Sequence, residues 1–315
     1  GGLITYSSAA VSGGSIEQNV AGGYGGAWYV GGGNPLLQSG QVRNNRSSTV
    51  GGAWVQGGSL RVGSTNFCGN GVNVNGAWQD LGGNVFQGGC DGGGPTTRRV
   101  PEQYASISAA IAASYDGDVV EVGPGTYAEG LNFGGREITV RSTAGAGTTI
   151  VDPVTGRCLT VNGQKGAGAR LEGFTLRGGS ASIGGGVYVS ASSPVLVNCV
   201  ITGNTATESG GGVYLESGSL QLTGCTVSQN AAHYYGGGVT VSGGSLSLEN
   251  SVVSGNTLTY TGWSYGGGVY VGGGVVSLAG GGVSGNTARS GGGGIYVSSG
   301  TVAATDCVVS GNAVT

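Results

Sequence analysis

The triplet Gly-Gly-Gly followed by Val or Ile begins at Gly184, Gly210, Gly236, Gly266 and Gly292, in steps of 26, 26, 30 and 26. A second marker, an apolar residue three before an asparagine, falls at Ile201/Asn204, Val227/Asn230, Val253/Asn256, Val283/Asn286 and Val309/Asn312, with the same four steps. The long step comes from four extra residues within 257–265. Two markers that keep one register across an insertion define a repeat.

Between the markers, apolar residues recur at a spacing of two. One column reads Val187, Val213, Val239, Val269, Ile295, with Val189, Leu215, Val241, Val271, Val297 two residues on. A second reads Leu196, Leu222, Leu248, Leu278, Ala304, and a third pairs Cys199, Cys225, Ser251, Gly281, Cys307 with the apolar residue before each asparagine. That spacing describes short strands with one buried face. Three such strands cannot enclose a core within ~26 residues, whereas stacking each strand on its counterpart one repeat on can. The chain is therefore expected to be all-β, a right-handed parallel β-helix with three short strands per rung.

Composition fits this reading. Glycine supplies 74 of 315 residues without the every-third period of collagen, only six residues are proline, and 38% are hydrophobic, too many for a disordered chain. Charged residues are 9% and the net charge is −3 with no basic cluster, which excludes a nucleic-acid partner. No apolar run reaches the ~18 residues of a membrane span, so no membrane insertion is expected. No charged-then-apolar leader opens the chain, so a secretory signal is expected to be removed or to lie outside this segment.

The asparagines Asn204, Asn230, Asn256, Asn286 and Asn312 either form a ladder of stacked amides or are ordinary turn residues; the ladder is the expectation. Cys199 and Cys225 should stack on adjacent rungs, within disulfide range, yet buried cysteine also serves as a small apolar filler. The lone His233, beside Tyr234 and Tyr235, is read as a solvated turn residue rather than a general base. Tyr188, Tyr214, Tyr270, Tyr296 and, earlier in the chain, Tyr29 fall at outward positions, with Thr240 interrupting the row. Such a stripe can stack glycan, pack against a neighbour, or stabilise the rungs by stacking on itself. Trp263 and Tyr260, in the insertion, should protrude furthest.

Residues 1–94 carry the same markers. Asn19, Asn45 and Asn70 step by 26 and 25, and Gly25-Gly26-Ala27-Trp28 recurs as Gly51-Gly52-Ala53-Trp54. The pattern then decays toward Cys90, as at the closing end of a solenoid, with Cys68–Cys90 the expected disulfide. Residues 95–117 should hold a linker (95–101) and one capping α-helix from Pro101 to Ile111, closed by Asp116-Gly117. From 118 to 315 the rungs should run to an uncapped layer. Placing Val309–Thr315 before Gly1–Tyr6 reads as a continuous repeat, with an Asn312-to-Asn19 step of 22. The expected partner is therefore the protein itself, head to tail, through Gly1, Gly2, Leu3, Ile4, Val308, Val309, Asn312 and Val314.

The Phe67-Cys68-Gly69-Asn70 and Gly-Gly-Ala-Trp motifs resemble the repeats of polymorphic outer membrane proteins, although their membrane barrel has no counterpart here. Tyr104-Ala105-Ser106-Ile107, Asp116-Gly117-Asp118-Val119 and Pro124-Gly125-Thr126-Tyr127 resemble the start of secreted pectin-lyase-like β-helix proteins. The resemblance implies an extracellular or cell-surface location and spans adhesins and polysaccharide-cleaving enzymes. For a lyase or hydrolase the candidates are Asp152, Arg157, Lys165 and Arg170, within two rungs, but no paired acid accompanies them. No Cys-x-x-Cys or histidine cluster marks a metal, and no cofactor is expected. The leading expectation is a structural solenoid that is not an enzyme and builds an extracellular filament or stalk. A glycan-binding adhesin is the alternative.

Overall fold

A computed structural model describes residues 3–6, 8–13, 15–21, 26–43, 45–47, 52–63, 65–68, 74–81, 85–87, 96–163 and 168–315. The chain forms two compact units, Gly1–Thr96 with Tyr115–Asp118, and Thr97–Ser114 with Val119–Thr315.

The second unit is a right-handed parallel β-solenoid. Its broad face is a nine-stranded ladder from Thr97–Val100 to Thr301–Thr305, and its middle face has eight strands from Gly125–Tyr127 to Val308–Ser310. A tyrosine face has seven, from Leu131–Asn132 to Ile295–Val297. Every ladder pair is parallel, and each residue sits beside its sequence counterpart: Ile201 beside Val227, Val227 beside Val253, Val253 beside Val283. These inward residues are fully buried, as are Leu171, Leu196 and Leu222 of the broad face. Burial of side chains of this size is worth ~1.5–3 kcal/mol each, which makes the stacked core the main source of stability.

Three strands per rung were expected; the rung has a fourth. The short face runs Ser180–Ile183, Thr205–Ser209, Ala231–Ala232, Thr257–Leu258, Thr287–Ala288 and Ala313–Val314. Ala206, Ala232, Leu258 and Ala288 form a small separate core beneath it. One small inward residue per strand is too faint a period to read from sequence.

The helix is also shorter than expected and starts later, spanning Ile107–Ala113. Ser106 caps it, its hydroxyl accepting from the Ala109 N–H at 3.1 Å, while the Glu129 carboxylate accepts from the N–H groups of Ile107 and Ser108 at 2.8 and 2.9 Å. These acceptors satisfy the orphan donors of the first turn, so Ser106 and not Pro101 sets the start. Ile107, Ala110 and Ile111 join the core with Val100, Val120 and Leu131, so the helix covers the first rungs. The expected linker at 95–101 instead contributes a strand, Thr97–Val100, paired with Val119–Val122.

In the first unit, ladders begin at Leu3–Thr5, Ala10–Ser12, Ser15–Glu17 and Val20–Ala21, in the same chain order of faces: tyrosine, broad, middle, short. Its register differs from the sequence alignment of the two Gly-Gly-Ala-Trp motifs. Trp28 pairs with Ala53 and Tyr29 with Trp54, so that rung is one residue shorter. Trp28 is consequently buried and Trp54 faces outward beside Tyr29, because a one-residue slip reverses every side chain of a strand. The small Ala53 next to Trp28 makes room for the indole.

Candidate functional site

Two features bear on function: an asparagine corner that runs the length of the repeats, and an aromatic patch. Each asparagine follows a residue with left-handed φ: Gly203, Gln229, Gly255, Gly285 and Gly311 lie between 55° and 64°. The turn aims the amide inward along the axis. Asn204 donates from its backbone N–H and from Nδ2 to Asn230 Oδ1, both at 3.0 Å. Asn230 does the same to Asn256, Asn256 to Asn286, and Asn286 to Asn312. The other Nδ2 hydrogen reaches back one rung, as from Asn230 to the Ile201 carbonyl at 2.9 Å. Asn204, Asn230, Asn256 and Asn286 are completely buried, so the hydrogen bonds among these four form in low dielectric.

The glycine triplets are the other half of this corner. Gly236 has φ of 56°, where L side chains are strained. A Cβ on Gly238 would stand 2.8 Å from Asn256 Nδ2 and 2.7 Å from the Gly268 carbonyl oxygen. The two sequence markers therefore keep one register because they are in contact.

A thiol heads the ladder. At the position before Asn204 the chain has Gly179, whose N–H donates to Asn204 Oδ1 at 2.9 Å. The missing amide is replaced by Cys158, whose Sγ lies 3.3 Å from the same Oδ1. Burial pushes its thiol up to about 12. Sequence reading passed over Cys158 because it lies outside the repeat columns. Cys199 and Cys225 are free thiols. The Cys225 Sγ accepts from the Cys199 N–H at 3.4 Å, and Ser251 Oγ accepts from the Cys225 N–H at 3.0 Å. Cys225 is thus more than a filler, because it satisfies a backbone donor of its neighbour. Burial raises the Cys199 thiol well above its ordinary value. The expected Cys68–Cys90 pair lies outside the described residues; of it, only the strand Asn66–Cys68 is placed.

The strands from Ile295–Val297 to Ala313–Val314 are the last of each ladder. Val309 is 53% exposed although its column mates Ile201, Val227, Val253 and Val283 are fully buried. Val314, over the small alanine core, is 54% exposed, and Val308 points outward on the middle face. Of the other assembly candidates, Leu3 and Ile4 lie on an edge strand of the first unit, and Gly1 and Gly2 lie outside the described residues.

The tyrosines form two stacked pairs. Tyr188 and Tyr214 lie 6.2 Å apart at 18°, and Tyr270 and Tyr296 lie 5.8 Å apart at 6°. Arg157 sits 4.7 Å above the Tyr188 ring, and the Tyr188 hydroxyl donates to Glu216 at 2.7 Å. Burial raises the Tyr188 hydroxyl, and the Ser190 and Tyr188 hydroxyls hold the Glu216 carboxyl below its ordinary range. Tyr235 and Tyr265 make a second column, staggered so that Tyr235 packs on Tyr270 at 4.5 Å and Tyr265 on Tyr296 at 4.6 Å. His233, Tyr234 and Tyr260 form a triad with centroids 4.6–5.0 Å apart, and His233 Nδ1 lies 3.3 Å from Thr259 Oγ1. Ring faces in the columns are thus turned toward each other along the axis. Trp263 of the insertion is 76% exposed, whereas Tyr260, expected to protrude with it, packs against His233 and Tyr234.

The enzyme candidates are not gathered. Asp152 pairs with Arg177 at 2.9 Å, Arg157 donates to the Ile183 carbonyl, and Arg170 pairs with Glu172. Lys165 lies outside the described residues. Glu121, between Arg99 and Arg141, is held below the ordinary carboxylate range chiefly by the Arg141 hydrogen bond. Among the described residues no three His, Cys, Asp or Glu are grouped to hold a metal, and no helix is long and apolar enough to cross a membrane.

No curated protein and no solved structure matches the chain. A family model described as a right handed beta helix region matches residues 156–279, the rungs that carry Asn204, Asn230 and Asn256.

Proposed function

We propose that this protein is a structural β-solenoid that works outside the cell as one unit of a filament or stalk, built by head-to-tail stacking of copies. The supporting observations are the parallel ladders in which every rung repeats the contacts of the one before, locked by a buried asparagine column, and the engagement of the candidate acids by arginines. Parallel ladders have two unlike edges, so contact between them is heterologous and does not close on itself. An extracellular setting is supported by the resemblance of segments within 104–127 to the start of secreted β-helix proteins and of the repeats to those of polymorphic outer membrane proteins.

Light scattering and electron micrographs of the purified chain over a dilution series test this. Long unbranched polymers that survive dilution are expected; single monodisperse copies at every concentration would overturn the reading.

The runner-up reading, a glycan-binding adhesin, is favoured by Trp263. Because the column tyrosines spend their faces on each other, the insertion is the better platform, and Trp263→Ala should abolish binding to neutral glycans if this reading holds. A lyase or hydrolase has less support, since the nearby carboxylates are engaged by arginines. Uronate polymers left uncut with and without Ca²⁺ would remove it.

A further inference from the structure

We propose that the aromatic patch beside the insertion is an oxidation site, at which a peroxide-driven one-electron oxidant couples Tyr235 to Tyr270 or Tyr265 to Tyr296 and staples neighbouring rungs with a carbon–carbon bond. Such a staple lies within one chain and depends on neither the filament nor the adhesin reading.

The patch is a connected set of rings. Tyr235 and Tyr265 sit in register on adjacent rungs, with ring centroids 6.4 Å apart at 11°. Tyr270 and Tyr296 do the same in the neighbouring column, at 5.8 Å and 6°. The closest contacts run between the columns: Tyr235 to Tyr270 at 4.5 Å and Tyr265 to Tyr296 at 4.6 Å, each pair tilted by 36°. They occur where a column is interrupted. Thr240, opposite Tyr270, carries no ring, and its Oγ1 donates to the Tyr235 carbonyl at 3.1 Å. Gly291 is opposite Tyr265, and a Cβ there would stand 3.2 Å from the Tyr265 ring and 3.4 Å from the Tyr296 ring. Small residues at both gaps let the rings lean across. On the outer side Tyr234 lies 6.3 Å from Tyr235 and 5.0 Å from Tyr260.

Exposure and surroundings favour oxidation here. Tyr234, Tyr235 and Tyr260 are exposed, so an oxidant can meet the cluster, while Tyr265, Tyr270 and Tyr296 are half-buried. Among the described residues no protein group hydrogen-bonds the hydroxyls of Tyr235, Tyr265, Tyr270 or Tyr296, which leaves them free to release a proton to water. Sulfur, a common sink for oxidants, competes weakly: the chain has no methionine, and Cys158, Cys199 and Cys225 are buried.

Loss of one electron and the hydroxyl proton leaves a phenoxyl radical, with its unpaired density on the oxygen and the two Cε carbons. Rings in contact share the hole, so a second oxidation leaves two radicals side by side. A Cε carbon of one ring bonds to a Cε carbon of the other, and the hydrogen on each coupling carbon moves to the oxygen and restores both phenols. The two electrons and two protons released overall reduce one hydrogen peroxide to two waters. A Tyr235–Tyr270 link joins positions 35 apart in sequence and a Tyr265–Tyr296 link positions 31 apart, so either closes a rung on the next as a disulfide would.

Hydrogen peroxide with a haem peroxidase, applied to an equal mixture of isotopically labelled and unlabelled chains, tests this. Dityrosine fluorescence should appear, and the product should run as a single chain on a denaturing gel. Peptide mapping should place the link at one of the two pairs, joining peptides that are both labelled or both unlabelled. The double variant Tyr235→Phe with Tyr265→Phe keeps both rings and their packing but cannot form the radicals. Its dityrosine yield should fall at least about tenfold, because contact and not the number of phenols decides the yield, although only two of the 14 tyrosines are replaced. A yield that falls only in proportion to the two tyrosines removed, links mapped to Tyr188 and Tyr214 instead, or links solely between chains would overturn the proposal.

Discussion

The Sγ of Cys158 lies 3.3 Å from the Oδ1 of Asn204, in the place where the asparagine ladder would otherwise have another amide. Gly179 occupies the backbone position of that absent asparagine, and a Cβ there would come within 2.9 Å of the sulfur. Glycine and thiol together thus do what one asparagine does on other rungs. Cys158→Ala should leave Asn204 Oδ1 with a single donor and a small void, a loss of about 1–2 kcal/mol. Cys158→Ser, which keeps a donor, should lose less. Denaturant melts of the two variants against the parent check the order; an alanine variant as stable as the serine variant would show that the thiol is mere filling.

The same thiol makes stability depend on pH. Burial lifts it from its ordinary 9.0 to about 12, so the folded chain keeps its proton over a range in which the unfolded chain loses it. The unfolded state then binds fewer protons, and stability falls as pH rises. This contribution is present in full below pH 9 and declines by up to ~1.4 kcal/mol per pH unit between 9 and 12. The difference between parent and Cys158→Ser should therefore shrink or reverse as melts are taken from pH 8 to pH 10.5. A constant difference would contradict it.

In the middle of the ladder the stakes are higher. Asn256 takes two hydrogen bonds from Asn230 and gives others to Asn286 and to the Val227 carbonyl, all in a fully buried corner. Asn256→Ala strands donors and acceptors on both neighbouring rungs and should cost more than about 3 kcal/mol. Asn256→Asp should be just as harmful at neutral pH, because a carboxylate there faces Asn286 Oδ1 and the Val227 carbonyl. It should recover part of the loss when the acid is protonated. Melts at pH 4 and pH 7 read this directly.

How much of this was legible in the sequence depends on how many neighbours a residue must satisfy. The asparagine and glycine columns were plain because each rung imposes the same contacts on the next, so Gly238 and Asn256 cannot change separately. The short face was hidden because Ala206, Ala232 and Ala288 need only be small. The recurrence of Gly-Gly-Ala-Trp did not show that Trp54 pairs with Tyr29, because the intervening rung is one residue short. Cys158 was missed because a ladder has one head, and a feature used once leaves no period. The tyrosine columns could be counted but not oriented: whether a ring offers its face to solvent or to its neighbour is settled by tilt, which residue spacing does not encode.

A turn position offers a gain in stability. Ala191 has φ of 48°, in the left-handed region that costs an L residue roughly 1–2 kcal/mol. Ala191→Gly relieves that strain and loses some through the freer unfolded chain, so a net gain of a few tenths to about 1 kcal/mol is expected. Thermal melts should show a higher midpoint. Unchanged or lower stability would mean that the alanine methyl makes contacts worth as much as the strain.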